Sequence, residues 1–232
     1  MAELMDHVEA LADQIGPRPV STEEERQASL YIAQELTDLG LDVAVDEFAT
    51  PTGVRWPYTI AFLAVILGTV LSGVGMFVEA ASTPLFVVGF ILCVLGFAIF
   101  YTERSNMGLL SSRRSGGVSQ NVVAKYVPSS VARERSRRKV IIAAHVDTVR
   151  AEPQAMPAIV NTYPLLRTIL FYVMAALPIV LFIRLLPLPW PDTIDFVLWI
   201  LSLIACVYVL VCLACIVINR FMPYVSGGND NA

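Results

Sequence analysis

The sequence predicts an α/β domain interrupted by four transmembrane helices. Three observations lead there. The 232 residues are 56% hydrophobic, but the apolar residues concentrate in four runs almost free of charge, at about 57–78, 84–101, 165–186 and 196–218. Each run is close to the ~20 residues that a helix needs to cross ~30 Å of hydrocarbon. The intervening segments are polar and carry the helical and strand periodicities of a globular domain. The chain therefore divides into N-terminal helices with a first strand (1–56), a first transmembrane hairpin (57–101), a segment of central strands (102–163), a second hairpin (164–219) and a short final segment (220–232).

Residues 3–15 place Leu4, Val8, Leu11, Ala12 and Ile15 on one helical face, with Gly16 as C-cap and Pro17 and Pro19 blocking continuation. His7 falls among polar neighbours and reads as a surface histidine. The stretch STEEERQASLYIAQELTDLG opens on a capping box, Ser21 with Glu24, and offers a stripe of Ala28, Ile32, Leu36 and Leu39 before Gly40 ends it. The glutamates at 23–25 sit in the first turn, where acids complement the helix dipole.

LDVAVDEF (41–48) alternates as a half-buried strand does, and SQNVVAKYV (119–127) reads as a second strand. KVIIAAH (139–145) is continuously apolar, the pattern of a strand covered on both faces. These elements imply three neighbouring strands against two helices, an α/β arrangement.

The four runs are apolar on all sides, which separates them from amphipathic surface helices. No cleavable signal peptide is visible, because the N-terminus is acidic and amphipathic. All four cysteines (Cys93, Cys206, Cys212, Cys215) fall inside the runs, so no disulfide framework is available to the polar part. CLAC at 212–215 has the spacing of a redox or metal pair, yet in a lipid-facing helix it reads as packing.

Charge supplies an orientation. Arg55, Arg104, Arg113, Arg114, Arg167 and Arg220 flank the run ends nearest the polar segments. The opposite turns carry Glu79, Asp192 and Asp195, with Arg184 the only base. By the positive-inside rule the polar part is cytoplasmic and the protein a multi-pass constituent of the cell membrane, with the lipid bilayer as its first partner. The basic cluster RERSRRK at 133–139 reads as a solvated loop before a strand, so no nucleic-acid partner is expected.

One candidate site stands out. His145 and Asp147 follow the apolar run in AAHVDTV, at the carboxyl end of a predicted strand, where α/β sheets gather ligands. Neutral imidazole is the commonest metal ligand, and a neighbouring carboxylate can fix its tautomer. A capping aspartate beside a partly buried histidine gives the same string. After the fourth run comes PYVSGGNDNA (223–232), in which a glycine turn can present Asp230 to a cation.

Taken in order, IGPRP before a capped helix, SQNVVAKY, IIAAHVDT and GGNDNA resemble metallopeptidase family 28, the zinc aminopeptidases and carboxypeptidases with a mixed sheet between helices. AHVDTV also looks like the related family 20, but GGNDNA and IGPRP fit family 28 better. The resemblance implies an α/β/α zinc-peptidase-like domain, here incomplete, two zinc ions as cofactor and a peptide as substrate. It implies that His145 binds one zinc, that Asp230 bridges both, and that Asp147 has the catalytic part of orienting the site. Two zincs ~3.5–4 Å apart activate a water for attack on a peptide carbonyl, with a glutamate as general base.

The chain departs from that pattern after Ala232, where the family supplies the base, two further acidic ligands and a second histidine. The expectation is an N-terminal portion of a membrane-embedded zinc exopeptidase, inactive alone. The alternative is a non-catalytic membrane protein whose degenerate peptidase-like domain binds a partner or peptide. A transporter subunit is disfavoured by the scarcity of polar groups within the four runs.

Overall fold

The computed structural model describes residues 2–51, 55–113, 115–126, 140–186 and 191–227, and the chain separates into two compact units. The first comprises 1–52, 115–151 and 223–232; the second comprises 53–114 and 152–222. The described elements are mostly helical, with one two-stranded sheet.

In the first unit, helix α1 (Ala2–Glu9) continues as a π-helical turn over Ala10–Ile15. Gly16 ends it at φ +79°, a conformation that a residue with a Cβ rarely adopts. Helix α2 (Glu23–Asp38) is capped one residue later than the sequence suggests. Thr22 is the N-cap, and the Glu25 carboxylate reaches back to accept from the Ser21 amide at 2.6 Å. Its other oxygen accepts from the Ser119 hydroxyl, also at 2.6 Å, which ties α2 to the sheet. The predicted stripes hold in part: Leu11, Ala12 and Ala28 are buried, whereas Leu4 and Leu39 are exposed. His7 accepts or donates at 2.7 Å to the Tyr31 hydroxyl, joining α1 to α2.

Strands β1 (Asp42–Pro51) and β2 (Ser115–Lys125) pair antiparallel, Val45 opposite Val122, with an irregularity at Thr50 and Pro51. Two of the three predicted strands are therefore neighbours although the first apolar hairpin separates them in sequence. The third is a correction. Residues 140–145 form no strand, and Val140, Ile141 and Ile142 are 84%, 88% and 94% exposed. A strand apolar on both faces needs a ladder partner and covering layers; the sheet of the described residues ends at β2. The same shortage leaves β1 largely exposed where alternation predicts a half-buried strand, since a two-stranded ribbon buries little.

The second unit contains four helices long and apolar enough to cross a membrane. They are α3 (Trp56–Val74), α4 (Ser82–Arg104), α6 (Tyr163–Leu185) and α7 (Asp192–Asn219), with a single turn α5 (Pro157–Val160) before α6. All four predicted runs are found. Helices α3 and α4 make the closest pair: a Cβ added at Gly68 would stand 2.5 Å from the Gly89 carbonyl oxygen, and one at Gly89 would meet the Gly68 oxygen at 2.5 Å. Small residues let two backbones approach in this way, so that dispersion replaces the hydrophobic drive that lipid cannot supply. Ala61, Phe62, Val65, Cys93, Met174, Leu177, Val209 and Leu213 build the bundle core. None of the four cysteines is in a disulfide, and Cys93 and Cys206 are packed in that core.

The far ends of the helices hold a polar cluster that the sequence hides. The Arg184 side chain is wholly buried and donates to both oxygens of Asp195, at 2.6 and 2.9 Å. Its remaining terminal nitrogen donates to the Ser72 hydroxyl at 2.8 Å, and the guanidinium lies 4.8 Å from the centre of the Phe86 ring. One residue thus joins all four helices.

Candidate functional site

The candidate site lies in the first unit, and Arg18 organises it. GPRP cannot continue the preceding helix, because each proline lacks an amide donor and fixes φ. Arg18 is left in an irregular segment whose backbone groups need partners. It is fully buried. Its backbone amide donates to Thr148 Oγ1 at 2.8 Å, and the Thr148 amide donates back to the Arg18 carbonyl at 2.8 Å. The guanidinium Nε donates to the Val146 carbonyl at 3.0 Å. Nη1 donates to the carbonyls of Gly16, at 2.9 Å, and Leu11. Burial pulls the Arg18 pKa below its ordinary value by desolvation, though an arginine stays charged at neutral pH. Nη2 is buried with no hydrogen-bond partner among the described residues.

These bonds hold residues 146–148 in place without a strand. His145 comes just before them and is half exposed, its side chain at 53%. Its Nδ1–H donates to the Asp147 carbonyl at 2.9 Å, and the Asp147 carboxylate stands 3.5 Å from the same nitrogen. A proton held on Nδ1 makes Nε2 the ligating nitrogen, the usual preparation of a metal-binding histidine.

The next residues reach the other motif. Val149 accepts from the Val225 amide at 3.0 Å, and the Ala151 amide donates to the Pro223 carbonyl at 2.9 Å, around an antiparallel bridge between Arg150 and Tyr224. The Arg150 guanidinium lies 4.2 Å from the centre of the Tyr224 ring, a favourable cation–π distance. Gly227 then turns at φ +77° and is buried, so a side chain there would be strained. Asp230, three residues further, lies outside the described residues, as does the basic cluster at 133–139.

No protein-family model, curated protein or solved structure matches the chain. The chemistry rests on the geometry. Structural zinc sites take four protein ligands and catalytic ones three. Among the described residues no three His, Cys, Asp or Glu side chains cluster closely enough to hold a metal ion. His145 with Asp147 fits the histidine half of a zinc site and does not complete one.

Two features escaped the sequence reading. Arg18 carries the segment that contains the site, and the pairing of 149–151 with 223–225 joins parts separated by the second hairpin. An arginine between two prolines directly after a helix-ending glycine was the available signal for the first. The second rests on three non-local contacts, for which six residues give no periodicity.

Proposed function

We propose that this chain is a membrane-embedded zinc exopeptidase of the metallopeptidase family 28 type, aminopeptidase-like, carrying the part of the domain that holds His145, Asp147 and Asp230. The observation that supports the reading is convergence. Two strings that carry the resemblance, IGPRP and IIAAHVDT, are far apart in sequence and are joined by the hydrogen bonds of Arg18. The residues just after the second, Val149 and Ala151, bond to Val225 and Pro223, just before the third string, GGNDNA. Asp230, within GGNDNA, follows Val225 by five residues.

In this reading the zinc pair, when bound, supplies an activated water and polarises the scissile carbonyl. His145 would offer Nε2 as ligand while its Nδ1–H donates to the Asp147 carbonyl. The Asp147 carboxylate, 3.5 Å from Nδ1, would help orient the ring, and Asp230 would offer a further carboxylate ligand. Arg18 fixes Val146 and Thr148, so the short segment bearing the histidine keeps one conformation. The general base and remaining ligands are not assigned to residues of this chain.

The reading places the polar segments on the cytoplasmic side. The Arg184–Asp195 pair supports it, because the only base of the opposite turns is neutralised within the bundle. Cysteine labelling tests the sidedness: Thr193→Cys should react with an impermeant reagent on intact cells, and Ser112→Cys only after permeabilisation.

Metal content measured together with aminopeptidase turnover tests the activity, for residues 1–232 and for the same chain extended past Ala232. Residues 1–232 should bind zinc weakly and lose it in His145→Ala. The extended chain should hold two zincs per domain and lose turnover on chelation. An extended protein that is metal-free and inactive would favour the non-catalytic binding domain instead.

A further inference from the structure

The second unit carries a cavity of about 470 Å³ with no part in the peptidase reading. Its walls come from α3, α4, α6 and α7 and from the segment at 152–154. Polarity changes along its depth. Arg55, Arg104, Glu152 and Tyr163 line it near the ends of the helices, with Arg167 one turn further in. Phe62, Phe100, Leu170 and Val211 line it within the apolar spans. On α3, Arg55 and Phe62 are separated by roughly 10 Å of helix at ~1.5 Å per residue.

The charge of that mouth is unbalanced. Arg55 is paired with Glu152. Arg104 lies 5.5 Å from the centre of the Phe171 ring, and among the described residues no carboxylate stands within ion-pair distance of Arg104 or Arg167. The neighbouring Glu103 is occupied, accepting from the amides of Leu110 and Ser111 at 2.9 and 3.2 Å. Two arginines therefore line the cavity with no ion-pair partner among the described residues. Gln154, also in the wall, has a buried Oε1 with no hydrogen-bond partner among the described residues.

We propose that this cavity binds an anionic phospholipid, for which phosphatidylglycerol is the probe. The phosphate is held by Arg104 and Arg167, and an acyl chain lies along Phe62, Phe100 and Leu170. Arg is the residue suited to bidentate phosphate recognition, and the volume lies within the ~300–1,000 Å³ of small-molecule sites. Isolated arginines and tyrosines at a membrane boundary anchor a helix without selecting a lipid. Here they line one concavity with an apolar floor, and that geometry selects an amphiphile over a soluble phosphate. The proposal requires the four helices to span a membrane and is independent of any peptidase activity.

The test is native mass spectrometry of the whole chain titrated with phosphatidylglycerol and with phosphatidylcholine, with circular dichroism as the folding control. The wild type should prefer phosphatidylglycerol by at least about tenfold, the scale of one or two charge-assisted hydrogen bonds. The double variant R104Q/R167Q should lose that preference, and R113Q/R220Q, which removes two boundary arginines outside the cavity, should keep it. Photo-crosslinking of the wild type with a diazirine-bearing phosphatidylglycerol should label peptides of α3 and α6 that contain Tyr58 and Tyr163, a result that needs no folded variant. Equal losses in the two double variants would overturn the proposal in favour of general boundary charge. Displacement of the lipid by millimolar inorganic phosphate would overturn it in favour of a free anion, and crosslinks confined to outward helix faces would overturn it outright.

Discussion

The two units solve the problem of burial in opposite ways. The helical unit has an apolar core drawn from all four long helices, and a helix pairs most of its backbone groups within its own segment. The first unit buries few large apolar side chains among its described residues, mainly Leu11 with Ala12 and Ala28. Its buried groups are chiefly polar: Arg18, Glu25, Ser29, Ser119 and Thr148. One unit is held by packing, the other by a few long-range hydrogen bonds. Stability in the first unit should therefore be concentrated in single residues, while the bundle spreads it over many.

Arg18→Leu should produce the largest effect. It leaves the carbonyls of Leu11, Gly16 and Val146 without their donor, at about 1–3 kcal/mol for each acceptor left unsatisfied. Hydrogen exchange should show lost protection over 146–151 and 223–225 with α3, α4, α6 and α7 unchanged. Loss of protection in the bundle as well would mean that the two units do not divide their stability as described.

The bundle has one residue that breaks its own rule. Asp195→Leu strands the buried Arg184 with only Ser72 and Phe86, and removal of one partner of a buried ion pair costs about 3–5 kcal/mol. Thermal unfolding in detergent should register the loss. The paired variant Arg184→Met, Asp195→Leu should recover most of it, because apolar replacement of a whole buried pair is often neutral or stabilising. A double variant as unstable as the single one would show that the cluster contributes more than the neutralisation of its own charges.

At the small end is Ile142→Asn. In a strand covered on both faces this change would be severe. At 94% exposure it should stay within about 0.5 kcal/mol of wild type. A large destabilisation would restore the third strand.

The same contrast explains what the sequence made legible. Spans α3, α4, α6 and α7 were readable because helix formation and membrane burial both follow from contiguous residues, length and apolarity. Strands β1 and β2 were readable from alternation, although their mutual pairing required the fold. The run 140–145 misled because its composition states a preference for burial, and burial depends on partners that the run itself does not encode. His145 and Asp147 stand out as candidates by type and spacing, and their mutual contact is local. Arg18 was quoted only as part of a motif, since nothing local distinguishes an arginine that organises 130 residues of separation from a surface loop arginine. The Arg184–Asp195 pair was visible as two turn charges, and their mutual burial was not.

The central claim is that HVDT and the segment after PYVSGG serve one site. Zinc binding by wild type, His145→Ala, Asp230→Asn and the double variant, measured by competitive titration on the detergent-purified protein, tests it most directly. If the two side chains share a metal, each single variant should lose binding and the double variant should be little worse than either, a strong departure from additivity. Additive losses, or zinc binding that survives both changes, would contradict the account.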